Sequence, residues 1–419
     1  MTKRTSSSKG GLTVNRRTVM AGLGAAAFTP FAPAIVRAES ETIRIGFPVP
    51  LTGPFGAEAQ DQVRCAQLAV DEVNASDGIA GRKVELLVRD DKLNPGEAAT
   101  RALELIEKDK VPFVVGALAG NVQLAVNEVC KSRGIIFVSI SQSDTINEAG
   151  TFSRFTFHEG MTPYMTTLAV AKHAFPKAKG KRIAFLAADY TYGHETLRDY
   201  KRAAQLFGMQ TVEEVMHPLG APDFSTFLPR ILAAQPDILC ICNFGRDQLN
   251  SIKQAVEFGI KQQAQIVVPV FLYAQRRAGS PAMFDGVTGG CNYHWTLEDT
   301  VPSAKKFNDA YRAKYNNAVP SDYGAYGYAG ISSLLAAVKQ AGGTDIDAVI
   351  SAYEGLKIDT HKGEEHYRKC DHQAVQPVFV VQSKPQSKMR NEFDVYDIVS
   401  VEPGSEANLR TCEELGHKA

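Results

Sequence analysis

From Thr42 onward, short β-branched runs alternate with stretches whose apolar residues recur every three or four positions. Thr42–Phe47, Val84–Arg89, Phe113–Gly116 and Ile135–Ser139 read as strands, the first closed by the breaker Gly53-Pro54. Val63, Ala66, Val70 and Val73 mark one face of a helix over Gln60–Asn74. Glu97–Lys108 and Val122–Ser132 follow as further helices. The rhythm then restarts. Strands are expected at Arg182–Ala187, Thr211–Val215, Ile238–Cys242 and Ile266–Val270. Helices are expected at Thr162–Phe175, Glu195–Phe207, Gln248–Phe258 and, after Asp223 as its cap, Phe224–Ala234.

After Gly289-Gly290 come one more strand-like run and helices near Ser303–Tyr315, Ala325–Gln340 and Ile346–Glu354. Pro377–Gln382 and Asp394–Val401 read as late strands. Repeated βαβ units imply parallel sheets covered by helices. Two such runs without a low-complexity linker predict two α/β lobes, several hinge strands and a deep cleft. In open α/β sheets the ligand sits beyond the carboxyl ends of the strands, so loops of both sheets would build one site.

The N-terminus changes the compartment. Residues 1–38 hold Lys3, Arg4, Lys9, Arg16, Arg17 and Arg37 with no Asp or Glu, then a weakly apolar stretch from Met20 to Phe31, then Val36-Arg37-Ala38. A basic segment, an apolar segment and a small-residue cleavage site mark an export signal cut after about Ala38. Asn15-Arg16-Arg17-Thr18-Val19-Met20 resembles a twin-arginine signal, with plain Sec export as the alternative. Gly22-Leu23-Gly24-Ala25-Ala26-Ala27 matches a dinucleotide fingerprint but follows two arginines rather than a strand, so no such cofactor is expected. Without the signal, 40 basic residues face 46 acidic ones, a net charge of about −6. That balance argues against nucleic acid as a partner, because phosphate binding needs a basic face. No later stretch reaches about 18 consecutive apolar residues.

Seven cysteines give an odd count, which leaves at least one thiol free. Cys240 and Cys242 share one face of an expected strand and read as buried apolar residues. Cys370 and Cys412, in irregular C-terminal segments, are the candidate disulfide. Ser303-Ala304-Lys305-Lys306 has S-x-x-K spacing without the partner motifs of that chemistry, and reads as the start of a solvated helix. His361 and His366 with Glu364 and Glu365 between them read as a charged surface loop rather than a metal site. Neither a metal nor a catalytic nucleophile–base pair is expected.

The run Ile45-Gly46-Phe47-Pro48-Val49-Pro50-Leu51-Thr52-Gly53-Pro54-Phe55 resembles the first strand and loop of the branched-chain amino acid (Leu/Ile/Val) type of periplasmic substrate-binding protein. Ala69-Val70-Asp71-Glu72-Val73-Asn74, Gly78-Ile79-Ala80-Gly81-Arg82, Val115-Gly116-Ala117-Leu118, Asp189-Tyr190-Thr191-Tyr192-Gly193 and Gln254-Ala255 continue the likeness in order, over about Thr42 to Val401. The resemblance implies a two-lobe type I fold, each lobe a parallel sheet flanked by helices, with three hinge crossings. It divides the chain into 41–158 plus 289–357, 159–288 plus 358–405, and a tail at 406–419. It further implies a monomeric, periplasmic, non-enzymatic protein, without cofactor, that closes on a small ligand and docks on the membrane subunits of an ABC importer. A ligand sensor of the same fold is the other reading.

Family pocket positions carry over one by one. Ser141, Gln142 and Ser143 match the hydroxylated stretch that holds a ligand carboxylate. Leu118 and Gly120 lie in the loop after the third strand, where Gly120 has an N–H but no hydroxyl. Tyr192 matches the contact from the second lobe, and Asp247 the partner of an α-ammonium, which makes an amino acid the expected ligand. Arg246 beside it opens another reading, an internally neutralised Asp247 and a carboxylate without an amine. Where an aromatic is usual, this chain has Glu58, while Phe55, Phe244, Phe271 and Tyr273 are candidate walls. An aromatic acid or an amide is therefore the alternative ligand.

Overall fold

A computed structural model describes residues 42–418. The export signal and its cleavage point lie outside the described residues. The first lobe is built on β1 (Ile43–Val49), β2 (Val84–Asp90), β3 (Phe113–Gly116), β4 (Ile136–Ser139) and β5 (Thr156–His158), an all-parallel sheet in the order β2-β1-β3-β4-β5. The second is built on β6 (Arg182–Ala188), β7 (Gln210–His217), β8 (Ile238–Cys242), β9 (Gln265–Val270) and β10 (Thr288–Cys291). β11 (Lys357–Asp359), β12 (Glu364–Tyr367) and β13 (Ala374–Val375) form a small antiparallel sheet. β14 (Val378–Ser383) and β15 (Tyr396–Glu402) complete the second sheet as its antiparallel edge, order β15-β14-β10-β9-β8-β6-β7.

The central strands are covered on both faces. Phe113–Gly116 and Ile238–Cys242 are buried at every position, as an apolar run between two helical layers must be. Local signals set the helix ends. Asn94 accepts from the Glu97 N–H at 3.0 Å and Pro95 opens the following helix. Gly134, at φ 63°, closes helix Gly120–Arg133 in the left-handed conformation. Asp223 does not cap a helix. It accepts from the Ser225 N–H and hydroxyl to make a turn, and the helix begins only at Leu228, where Pro229 fixes its first turn.

The chain crosses between the sheets three times: after β5, after β10, and between β13 and β14. Strand pairing moves the expected boundaries. Thr288–Cys291 pairs with β9 and β14, so a division at 288/289 cuts through a second-lobe strand. β11–β13 belongs beside the first sheet: His158 bridges Gln373, and Phe157 stacks on Tyr353 and His372 at 4.0 and 4.2 Å. Cys370 and Cys412 form the expected disulfide, which ties the tail to that small sheet. Cys65, Cys130, Cys240, Cys242 and Cys291 are buried thiols. Among the described residues no helix is long and apolar enough to cross a membrane.

Candidate functional site

Between the sheets lies a nearly filled cavity of about 10 Å3, room for about one water. Six expected residues line it: Phe55, Leu118, Gly120, Gln142, Tyr192 and Phe244. Ala119, Tyr190 and Tyr323 complete the wall. Phe55, Leu118 and Gln142 follow β1, β3 and β4; Tyr190 and Phe244 follow β6 and β8. The wall is thus drawn from the carboxyl ends of both sheets. The lobes meet there ring to ring. Phe55 packs edge-on against Phe244 at 4.7 Å, and Phe244 against Tyr323 at 4.8 Å and Tyr192 at 6.1 Å. Gly245 permits this approach: its φ is +57°, and a Cβ there would stand 2.6 Å from Phe55 Cδ1.

The cavity wall has no charged side chain. Its polarity comes from the backbone. Helices Gly56–Ala75, Gly120–Arg133, Thr191–Leu206 and Gly245–Glu257 begin at Phe55, Ala119, Tyr190 and Phe244. All four residues line the cavity, and none caps its helix with a side chain. Each helix start carries unsatisfied N–H groups and about half a positive charge. Four helix starts thus border one cavity. Two buried side-chain atoms there, Gln142 Oε1 and Tyr192 Oη, have no hydrogen-bond partner. Burial holds the Tyr190 and Tyr192 hydroxyls well above the ordinary tyrosine range, so both are neutral.

Five expected residues do not line the cavity. Ser141 Oγ donates to the Leu118 carbonyl at 2.6 Å, which shapes the loop and occupies the hydroxyl. Ser143 Oγ donates to Glu195 of the second lobe at 2.8 Å. Asp247 is buried with Oδ2 on the Gly220 N–H at 2.8 Å, and burial pushes its carboxyl up to about 6 while Arg246 opposes the shift. Arg246 itself is exposed and reaches the Gly53 carbonyl. Tyr273 directs its hydroxyl to the Phe393 carbonyl at 3.3 Å, and Phe271 packs in the core against Phe284 and Tyr396.

Glu58 is buried at the lobe junction, where it accepts from Gln275 of the second lobe at 2.7 Å. Asp322 lies nearby and takes the Tyr273 N–H at 3.3 Å; burial raises its carboxyl to about 8. The segment expected as a charged surface loop is a hinge element instead. His361, Lys362 and Glu365 are buried, and Lys362 Nζ lies 3.2 Å from both Glu159 and Glu365 and 2.7 Å from Gln376 Oε1. Burial, then Glu159, lifts the Glu365 carboxyl to about 8. Among the described residues no cluster of His, Cys, Asp and Glu is arranged to hold a metal ion.

Sequence reasoning passed over Tyr190, Tyr323 and Glu195. Tyr190 stands in the same Asp189–Gly193 motif as Tyr192. Glu195 was visible in outline: Tyr192, Glu195, Thr196 and Asp199 recur at helical spacing, so a largely polar helix face is buried and needs partners. Tyr323 has no comparable signal.

The model of a periplasmic binding protein family matches residues 42–388. A Leu/Ile/Val-binding protein homolog 7 of Brucella abortus (strain 2308) is 24% identical over 338 residues, 77% of this chain and 83% of that protein. The amino acid ABC transporter substrate-binding protein from Pseudomonas fluorescens Pf-5 superposes with a TM-score of 0.81 at 24% identity, covering 90% of this chain and 98% of that one. A solute binding protein of an ABC transporter from Rhodopseudomonas palustris BisB5, solved in complex with 3,4-dihydroxy benzoic acid, superposes at 0.78 with 23% identity, covering 87% and 98%. Two parallel-sheet lobes, three crossings and a ring-lined interlobe cavity accompany a family match over most of the chain; the protein belongs to the periplasmic binding protein family, with the type I two-lobe fold.

Proposed function

We propose that this protein is exported, captures a small carboxylate with a planar apolar body by lobe closure, and delivers it to an ABC importer without chemical turnover. The observation that carries the ligand class is the convergence of four uncapped helix starts on a cavity walled by five aromatic rings and no charged side chain. A carboxylate takes the backbone N–H groups. A flat ring would take the place of the Phe55–Phe244 and Phe244–Tyr323 edge contacts, which leave no room for it as they stand, and would pack on the same faces once the lobes part. Gln142 Oε1 and Tyr192 Oη offer hydrogen bonds to a ring hydroxyl. The Rhodopseudomonas palustris relative bound to 3,4-dihydroxy benzoic acid supports such a ligand in this fold.

An aliphatic amino acid is the second reading, favoured by the buried carboxyl of Asp247 in the first turn of the helix that opens at Phe244 of the cavity wall. A thermal-shift and calorimetric screen of residues 39–419 against benzoates, aliphatic amino acids and amides decides between them. A ligand that binds only the folded state adds about 2.7 kcal/mol at 100-fold excess over Kd. Benzoates are expected to raise Tm. A rise with leucine or valine and none with benzoates overturns the aromatic reading and returns Asp247 to the ammonium. No rise with any small solute overturns capture.

A further inference from the structure

Helix Thr191–Leu206 does two things on one face. Its first turn presents Tyr192 to the cavity. One turn on, Glu195 is buried and faces the first lobe. Glu195 Oε1 accepts three hydrogen bonds, all from the loop after β4: Ser143 Oγ at 2.8 Å, Thr145 N at 2.9 Å and Thr145 Oγ1 at 2.6 Å. Its Oε2 is buried without a hydrogen-bond partner. One further turn on, Arg198 reaches Asp144 of the same loop at 2.5 Å. Arg198 is already held in place by its neighbour Asp199, at 3.0 and 3.1 Å.

Every hydrogen bond of this buried carboxylate crosses the lobe interface. None comes from its own lobe, and neither Glu195 nor Arg198 lines the cavity. Opening the lobes would hydrate Glu195 and break all three bonds at once. Closing them gives the Ser143 and Thr145 hydroxyls an acceptor, while Thr145 N–H is shared between Glu195 and Ser143 Oγ at 3.1 Å. The contact therefore reports closure and not what has been captured.

We propose that Glu195, with Ser143 and Thr145, is a closure latch that sets the population of the closed form and so scales affinity by one factor for every ligand. Apparent affinity is the intrinsic affinity multiplied by the competent fraction, so a residue that touches no ligand tunes Kd through that fraction alone. Glu195 is a positioning residue on this account, and the account rests on capture by lobe closure.

The test compares wild type, Glu195→Ala, Ser143→Ala and the double variant. Calorimetry uses 4-hydroxybenzoate and L-leucine as probes, and small-angle scattering follows compaction with and without each. Glu195→Ala is expected to weaken whichever probe binds by about tenfold or more, the scale of one charge-assisted hydrogen bond. It is also expected to lower the compact fraction at a fixed probe concentration. The double variant is expected to be no weaker than Glu195→Ala alone, because both substitutions remove the same contact. Ser143→Ala approaches the contact from the other lobe, which guards against a Glu195 variant that folds poorly. A wild-type protein that compacts while Glu195→Ala compacts equally well overturns the latch alone, as does a loss confined to one probe. A wild-type protein that never compacts overturns lobe closure and the latch together.

Discussion

Gly245→Ala separates the energetics of the fold from those of closure. Gly245 opens helix Gly245–Glu257 at φ +57°, where a Cβ costs about 1–2 kcal/mol for any L residue. That cost belongs to the second lobe and is present whether the cleft is open or shut. The second cost appears only on closure. The new Cβ would stand 2.6 and 2.8 Å from Phe55 Cδ1 and Cε1 and 3.0 Å from the Pro54 carbonyl oxygen, all on the first lobe. The Phe55 ring is itself pinned by Phe244 at 4.7 Å, and a backbone oxygen cannot rotate away. Overpacking of this kind costs about 1–3 kcal/mol.

Ligand affinity should therefore fall by about 5- to 150-fold, while denaturant unfolding of the ligand-free protein loses only the backbone term. Gly208→Ala is the control. Its φ is +63° and nothing lies within 4 Å of the new Cβ, so it carries the backbone cost without the clash. Calorimetry with the ligand found by the thermal screen, and urea titration of both variants, give the two numbers. A Gly245→Ala protein that binds with wild-type affinity would show that Phe55 and Gly245 do not approach in the bound state, and would refute the closed geometry.

Asp322 has its carboxyl raised to about 8, chiefly by burial at the lobe junction and further by Glu58 and Asp61. The folded state thus holds a proton that the unfolded state releases near pH 4, and stability falls as pH rises from about 4 to about 8. Tm measured from pH 5 to 9 should slope downward, less steeply in Asp322→Asn; an unchanged slope removes Asp322 as its source. Cys412→Ser opens a loop of 42 residues and should cost about 4 kcal/mol in urea unfolding. A loss below about 1 kcal/mol would mean that Leu409, Leu415 and the Arg410–Glu148 pair hold the tail by themselves. Asp247→Ala removes the acceptor for Gly220 N–H and should lower stability by about 1–3 kcal/mol with affinity for an aromatic carboxylate unchanged. A large loss of affinity in calorimetry would place Asp247 on the ligand.

The sheets were legible because parallel strands covered on both faces leave a continuous apolar run. Phe113–Gly116 and Ile238–Cys242 fall where the sequence puts them. β11–β13 was not, because Lys357–Asp359 and Glu364–Tyr367 have the composition of a surface loop. Lys357 and Asp359 do stay exposed; what buries Lys362, Glu365 and Tyr367 is a charge partner, Glu159, some 200 residues earlier in the chain. The same distinction divides the site. Phe55, Gly120 and Phe244, taken from the family resemblance, stand at the ends of strands and line the cavity. The polar positions have protein partners in this structure: Ser141 has Leu118, Ser143 has Glu195 and Asp247 has Gly220. A serine's donor and an aspartate's acceptor are fixed by residue type. Which group they meet depends on tertiary placement, across the two sheets for Ser143 and between neighbouring loops of one lobe for Ser141 and Asp247, and local periodicity does not encode that. Ser143 is the sharpest instance. Its type suits an anion, and the anion it meets is the protein's own carboxylate on the opposite lobe.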